Sequence, residues 1–374
     1  MKSICVFTAA RSEYGLLKWI MKAIEDSKEL ELKLIVSGAH LMESQGHTID
    51  EILEDGFKPD AVIAGDAVQN ISTEAEIAEY MGKLGEEVSK TLARINPDYL
   101  LVLGDRYELL PICNSAFIMG IPILHFSGGD VTEGALDNGI RNAITMLATY
   151  HFPGVKDSAD NIERMRGRGS NIWVVGEPGL DAFYKCDLMT KSELAGNLSI
   201  DPKKKWVMLT YHPETLKTVD ENLSVLSYIL KGLDKRGDIV VVATYANADR
   251  GGSEINAELE KHASADSEKY KVVPSLGQRR YLSFMREAAL VIGNSSSGIV
   301  EAPCVGVPVV NIGDRQKGRH LCSNVISASS SEKDIEEAIE NALSGITDKS
   351  DLYYWGDGKT AERVVGILER ELNA

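Results

Sequence analysis

Short β-branched runs and segments of helical period alternate along this chain, which is the pattern of parallel sheets covered by helices. The runs Ile4 to Thr8, Leu32 to Val36, Tyr99 to Leu103, Ile121 to Phe126 and Ile172 to Val175 predict strands. Between them, Leu16 to Asp26, Glu74 to Ile95, Tyr107 to Met119 and Ile140 to Tyr150 carry apolar residues at helical spacing. After Gly176-Glu177-Pro178-Gly179 the pattern restarts, with strands at Trp206 to Thr210, Ile239 to Thr244, Lys271 to Val273, Leu290 to Gly293 and Val307 to Ile312. Its helices are Asn222 to Leu233, Ile255 to Lys261, Arg279 to Ala288 and Ile299 to Cys304. The Gly/Pro segment reads as a hinge. The expected organisation is two doubly wound α/β domains, residues 1–177 and 178–374, with no sequence repeat between them. An amphipathic helix over 359–372 ends the pattern, which leaves open whether it packs on the second domain or back on the first.

Length agrees with two cores, since a single core stops growing well below 374 residues. A net charge of -16 without any Lys/Arg block argues against a nucleic-acid partner, yet leaves room for a small anion held by a local cluster of Arg and His. The cysteines Cys5, Cys113, Cys186, Cys304 and Cys322 are scattered through mostly apolar runs, as reduced thiols of a cytoplasmic protein are. No C-x-x-C or H-x-x-x-H pairing points to a metal, and no resident cofactor is expected. Met1-Lys2 leads into a strand rather than a signal peptide, and no apolar run reaches about 18 residues, so no membrane association is expected.

Chemically able residues fall at the carboxyl ends of the predicted strands, where open α/β sheets bind ligands. Arg11 follows the first strand, His40 the second, Asp105 and Arg106 the run ending at Leu103, and Ser127-Gly128-Gly129-Asp130 the run ending at Phe126. In the second half His212, the run Gly293-Asn294-Ser295-Ser296-Ser297-Gly298, and Gly313-Asp314-Arg315 take the same place. Polar clusters on one strand edge suggest two domains facing each other across a shared cleft. The serine run reads either as a plain helix cap or as an anion seat, whose backbone N–H groups and hydroxyls admit a diphosphate. Glu301, about one turn past Ser297, is placed to accept ribose hydroxyls. Arg11 is a phosphate ligand or a surface charge, and Asp105 a chemical group or a cap for the next helix. His40 and His212, singly core residues, together read as a site. His125, His47, His151, His262 and His320 read as structural, and Tyr14, Trp19 and Trp355 as packing.

The set Thr8-Ala9-Ala10-Arg11-Ser12-Glu13-Tyr14-Gly15, Ser37-Gly38-Ala39-His40-Leu41, Gly104-Asp105-Arg106-Tyr107-Glu108, Tyr211-His212-Pro213, Gly293 to Gly298 and Gly313-Asp314-Arg315-Gln316-Lys317-Gly318-Arg319 resembles the UDP-N-acetylglucosamine 2-epimerase family over nearly the whole chain. It is most similar to the hydrolysing branch, which feeds sialic and related nonulosonic acid synthesis. The non-hydrolysing branch shows Arg-Pro-Glu, Gly-Asp-Thr and Gln-His-Arg-Glu-Met where this chain has Arg11-Ser12-Glu13, Gly104-Asp105-Arg106 and Ala39-His40-Leu41-Met42-Glu43.

The resemblance implies the GT-B arrangement of two Rossmann-like domains with an interdomain active site, a UDP-sugar substrate, and a homo-oligomer. It implies loss of UDP from C1 with removal of the C2 proton to give a glucal, then addition of water to release the 2-epimeric sugar. UDP-sugar contacts fall to Arg11, Arg106, His212, Asn294, Ser295, Ser296, Ser297, Gly298, Glu301 and Arg315, and acid/base or sugar-site roles to Asp105, His40 and His212. Departures accompany it. Relatives carry an acid at the position of Asn138 and a His at that of Asn142, and the non-hydrolysing branch a Glu at Ser127. An amide does not exchange protons as a carboxylate does, so Asp130 or Asp137 is the expected substitute. A GT-B glycosyltransferase, or a sensor weakened by the missing carboxylate, are the other readings.

Overall fold

The computed structural model describes residues 1–42, 47–63, 73–131, 136–169, 171–214, 216–246, 250–345 and 350–372. Glu43, quoted above, lies outside them. The first sheet contains β1 Lys2–Thr8, β2 Leu30–Ser37, β3 Ala61–Ile63, β4 Tyr99–Leu103, β5 Ile123–Phe126 and β6 Tyr150–Phe152 in the order β3-β2-β1-β4-β5-β6. The second contains β7 Lys205–Thr210, β8 Ile239–Thr244, β9 Tyr270–Val273, β10 Leu290–Gly293, β11 Val309–Ile312 and β12 Val325–Ala328, ordered β12-β11-β10-β7-β8-β9. Every pairing is parallel. Counted from its own first strand, each sheet has the same doubly wound order, so the two halves share a topology although their sequences show no repeat. The winding reverses between β1 and β4 in one sheet and between β7 and β10 in the other.

Burial on both faces explains why the central strands read so clearly. Along β1, Ile4 and Val6 enter one apolar cluster while Cys5 and Phe7 enter the other, so nearly every position must be apolar. The edges read less well. Ile172 to Val175 forms no strand, only an isolated bridge from Ile172 to His151. The edge strand is β6, whose Tyr150 was expected to end a helix; that helix instead stops at Leu147. Aromatic packing selects the extended form: Trp173 stacks on Tyr150 at 5.9 Å and on Phe152 at 5.8 Å.

The chain divides into one unit of Met1–Asp181 with Gly356–Ala374 and another of Ala182–Trp355. The terminal helix Thr360–Glu371 belongs to the first, where Ala361, Val364 and Leu368 join Tyr14, Leu17 and Met21 in one buried cluster. Asp181 fixes where that helix begins, because its fully buried carboxylate accepts the N–H groups of Thr360 and Ala361 at 2.8 Å each. The chain therefore stays with the first unit through Asp181, past the hinge expected after residue 177. No helix among the described residues is long and apolar enough to cross a membrane.

Asp181→Ala strands two buried N–H donors and is expected to cost about 2 kcal/mol. Urea unfolding checks this: the midpoint falls at unchanged slope, and Asp181→Asn falls between.

Candidate active site

In the first unit the polar groups gather where the winding reverses. After Thr8 the chain enters the helix Arg11–Asp26, and the buried carboxylate of Glu13 folds back to accept the N–H groups of Ala9 at 2.8 Å and Ala10 at 3.2 Å. Its other oxygen lies 3.9 Å from Nε of Arg106, whose guanidinium donates to both oxygens of buried Glu108 at 3.2 and 2.8 Å. Burial outweighs these donors and pushes Glu13 up to about 7. His40 hangs between two hydroxyls, Nε2 3.0 Å from Thr8 Oγ1 and Nδ1 2.8 Å from Thr48 Oγ1. Burial and the Arg106 charge push it down to about 4, so the ring is neutral at neutral pH. With no exposed surface, His40 as found braces the Thr8 turn. That packing requires Gly38, since at its φ of +60° a Cβ would lie 2.7 Å from the carbonyl oxygen of Ala9.

Asp105 follows β4 and is ion-paired to Arg141, a buried residue of the helix Leu136–Leu147. Arg141 Nη1 also donates to the carbonyl of Asp130 at 2.9 Å, and Ser158 donates to Asp130 Oδ1 at 2.5 Å. One guanidinium therefore ties the β4 turn to the β5 turn. Below it, His125 bridges the Gly104 carbonyl at 2.9 Å and Thr145 Oγ1 at 3.3 Å, a structural role. The structure does not bring every expected residue together. Asp137 is exposed in the first turn of its helix, with no partner among the described residues. Arg11 is exposed and held by Glu51 at 3.0 Å, and Arg106 faces carboxylates.

In the second unit Asn294, fully buried at the end of β10, joins the two strands at the reversal. It accepts the N–H of His212 and donates to the His212 carbonyl, both at 2.8 Å. Its own carbonyl takes Arg315 Nη1 at 3.1 Å and Gln316 Nε2 at 3.0 Å, which fixes the β11 turn to the same point. Gly293 allows the approach, because a Cβ there would lie 1.9 Å from the Thr210 carbonyl oxygen. Ser295 then caps the short helix Ser296–Val300, and the Ser297 hydroxyl meets Ser295 Oγ at 3.1 Å and the hydroxyl of Tyr281. The helix expected over Ile299 to Cys304 is broken into Ser296–Val300 and Ala302–Val305. Pro303 has no N–H for the carbonyl of Ile299, so the first turn cannot continue. At the break stands Glu301, pushed up to about 7 by burial, and no described group hydrogen-bonds its carboxylate.

Each unit thus carries its own fixed turn: an Arg-held carboxylate in the first, and hydroxyls with backbone donors, the groups that suit an anion, in the second. A profile of the UDP-N-acetylglucosamine 2-epimerase family matches residues 22–369. The chain belongs to that family. It is 33% identical, over 91% of its length and 87% of the relative's, to the Campylobacter jejuni protein named GDP/UDP-N,N'-diacetylbacillosamine 2-epimerase (hydrolyzing). It is 29% identical, over 99% and 96%, to the Legionella pneumophila UDP-N,N'-diacetylbacillosamine 2-epimerase (hydrolyzing). The crystal structure of UDP-GlcNAc 2-epimerase from Neisseria meningitidis bound to UDP-GlcNAc superposes with a TM-score of 0.78 at 18% identity, covering 99% of this chain and 100% of that one. That likeness gives the fold: two Rossmann-like α/β units of the GT-B-like 2-epimerase type.

Against this family background, sequence reading missed several residues that build the turns. Arg141 carried a signal, a charge among Ile140, Ile144 and Thr145 on the buried stripe of an amphipathic helix. Glu13 carried a weaker one, as the third residue of a helix that begins without a Ser, Thr, Asp or Asn cap. Tyr281 and Glu214 carried none. Glu214 accepts Lys217 Nζ at 2.8 Å and, across 100 positions that only the fold brings together, the N–H of Asp314 at 3.3 Å.

Glu13 sets a pH test. Its pKa is raised on folding from 4.5 to about 7. Across that window the unfolded chain sheds a proton the folded chain keeps, so this group's contribution is full below 4.5, falls as pH rises, and is lost above 7. Relative to Glu13→Gln, the wild type is expected to lose up to about 3 kcal/mol between the two ends of the window. Urea unfolding of both proteins at each end measures it, and parallel pH profiles would refute the assignment.

Proposed function

We propose that this family member is a hydrolysing 2-epimerase of a UDP-linked 2-acetamido sugar, releasing UDP and the free 2-epimer. The observation that carries this reading is the turn after β10, where Asn294 locks the backbone and Ser295, Ser296 and Ser297 offer hydroxyls and N–H groups to a diphosphate. Glu301, partly buried and without a hydrogen-bond donor among the described residues, accepts the ribose hydroxyls. His212, Gly298 and Arg315 complete the binding of UDP, with Arg11 and Arg106 as its ligands in the first unit. Both relatives named above are called hydrolysing epimerases of diacetylbacillosamine, which favours a 2,4-diacetamido-2,4,6-trideoxy sugar, with N-acetylglucosamine as the other candidate.

The chemistry follows from the substrate. The C2 proton sits beside an amide nitrogen rather than a carbonyl, so it is not acidic enough to remove directly. Stabilising the departing diphosphate makes C1 electron-deficient and C2–H acidic, and a positioned carboxylate then completes elimination to the glucal. Asp105, oriented by Arg141, takes that role. Asp130 is the second acid/base group, since the same guanidinium links its turn to Asp105, whereas Asp137 stands apart. His40 positions Thr8 and the sugar-side turn. Water adds to C1, C2 is protonated from the opposite face, and the open-chain or cyclic 2-epimer leaves with UDP.

Turnover in heavy water is expected to place deuterium at C2 of the released sugar, read by NMR; UDP release without it would rule out elimination. Asp105→Asn should lower kcat by about 10²–10⁴ while UDP affinity stays within about twofold. Glu301→Ala should instead weaken UDP binding by about tenfold or more in calorimetry. Comparing the two candidate UDP-sugars under single-turnover conditions identifies the substrate.

A further inference from the structure

Within the second unit a separate cluster lies on the opposite edge of the sheet from the serine run. His320, Cys322 and Asp351 each offer one ligand atom, and these atoms lie within 4.8 Å of one another. Cys322 sits three residues ahead of β12, and the adjacent Asn324 is bonded to Val307, just before β11, at 2.8 Å. Those contacts fix the cluster at the amino ends of β11 and β12. Asp351 follows the helix Glu332–Leu343 in the chain, four residues before the second unit ends at Trp355.

The donors are held as metal ligands are held. Asp351 spends Oδ1 on the N–H of Ser323 at 2.8 Å and turns Oδ2 to His320 Nε2 at 3.2 Å. The imidazole is clamped by stacking on Tyr354, with centroids 3.7 Å apart. Two ligands at about 2.0–2.1 Å on a tetrahedral ion stand about 3.3 Å apart, so the His–Asp spacing already fits one edge of that polyhedron. The sulfur edges need about 3.6 Å, which rotation of the side chains supplies. Cys322 is 1% exposed, whereas the side chains of His320 and Asp351 are 36% and 33% exposed. A soft ligand lies at the bottom and the mouth opens to water, which leaves room for a solvent molecule as fourth ligand. One thiolate, one imidazole and one carboxylate select a borderline-soft divalent ion over magnesium or calcium.

We infer that His320, Cys322 and Asp351 form a three-ligand site for a divalent cation of the zinc class, which ties the segment 350–355 to the leader of β12. On binding, the Cys322 thiol proton passes to solvent and His320 ligates as neutral imidazole. The metal fastens the last stretch of the second unit just before the chain re-enters the first at Gly356. It takes no part in the proposed elimination, whose acid/base residues belong to the first unit and whose serine turn lies at the other edge of the second sheet.

The test uses the full chain, stripped with a chelator, dialysed and titrated with Co²⁺ and then Zn²⁺. The expected result is one Co²⁺ per chain with a thiolate-to-cobalt charge-transfer band that Zn²⁺ displaces, and a higher Tm with Zn²⁺. Cys322→Ser should lose the band. Asp351→Asn, which keeps an oxygen for Ser323, should weaken affinity by about tenfold or more. Absence of a stoichiometric site, or a band that persists in Cys322→Ser, overturns the proposal. Should Cys322→Ser fail to fold, unchanged affinity in Asp351→Asn overturns it and the tenfold loss sustains it.

Discussion

Reversal of the winding direction inside each sheet is the constraint on which the rest depends. At β1/β4 and at β7/β10 the crossovers leave toward opposite ends of the sheet, so the carboxyl ends of two neighbouring strands are left uncovered by either connection. Backbone groups there must find partners that the ladder does not supply. In the first unit Glu13 takes the N–H groups of Ala9 and Ala10; in the second the Asn294 side chain takes both main-chain groups of His212. The same satisfaction of orphan groups that closes the fold holds the turns where a ligand is proposed to bind.

Those turns are stiffened by buried charge, which costs free energy unless each charge is paired. Arg106 is gripped by Glu108 with Glu13 nearby, and Arg141 spans Asp105 and the Asp130 carbonyl. Deleting one partner strands the other, so these clusters trade stability for fixed geometry. Glu13 shows the trade directly, since burial leaves it half-protonated near pH 7 despite two backbone donors.

Legibility in the sequence followed burial. Strands buried on both faces, such as β4 and β8, read with their observed bounds, because two-sided burial forces a continuous apolar run. The edge strands β3, β6 and β12 did not, having three or four residues with at most two buried, although the equally short edge strand β9 was read to within one residue. The position of the strand-end residues was legible, because each follows directly on a strand that the apolar pattern marks. Their partners were not, since Arg141 with Asp105 and Asn294 with His212 are 36 and 82 positions apart. His320, read as structural, stands two residues from Cys322 but meets Asp351 only through a 31-residue separation that matches no metal spacing pattern.

Neutral donors at the β10 turn also answer a problem set by composition. With 56 acidic against 40 basic residues, the cations around the strand ends of the first unit are claimed by carboxylates of the same chain. Arg11 is held by Glu51, Arg106 by Glu108 and Arg141 by Asp105. Hydroxyls and backbone N–H groups escape that competition, because they attract a neighbouring carboxylate less strongly than a guanidinium does. Asn294 fixes them by amide hydrogen bonds that carry no net charge. The anion seat proposed at this turn, built from oriented dipoles, would therefore keep its donors available in an acidic protein, with cations left to tune rather than to create it.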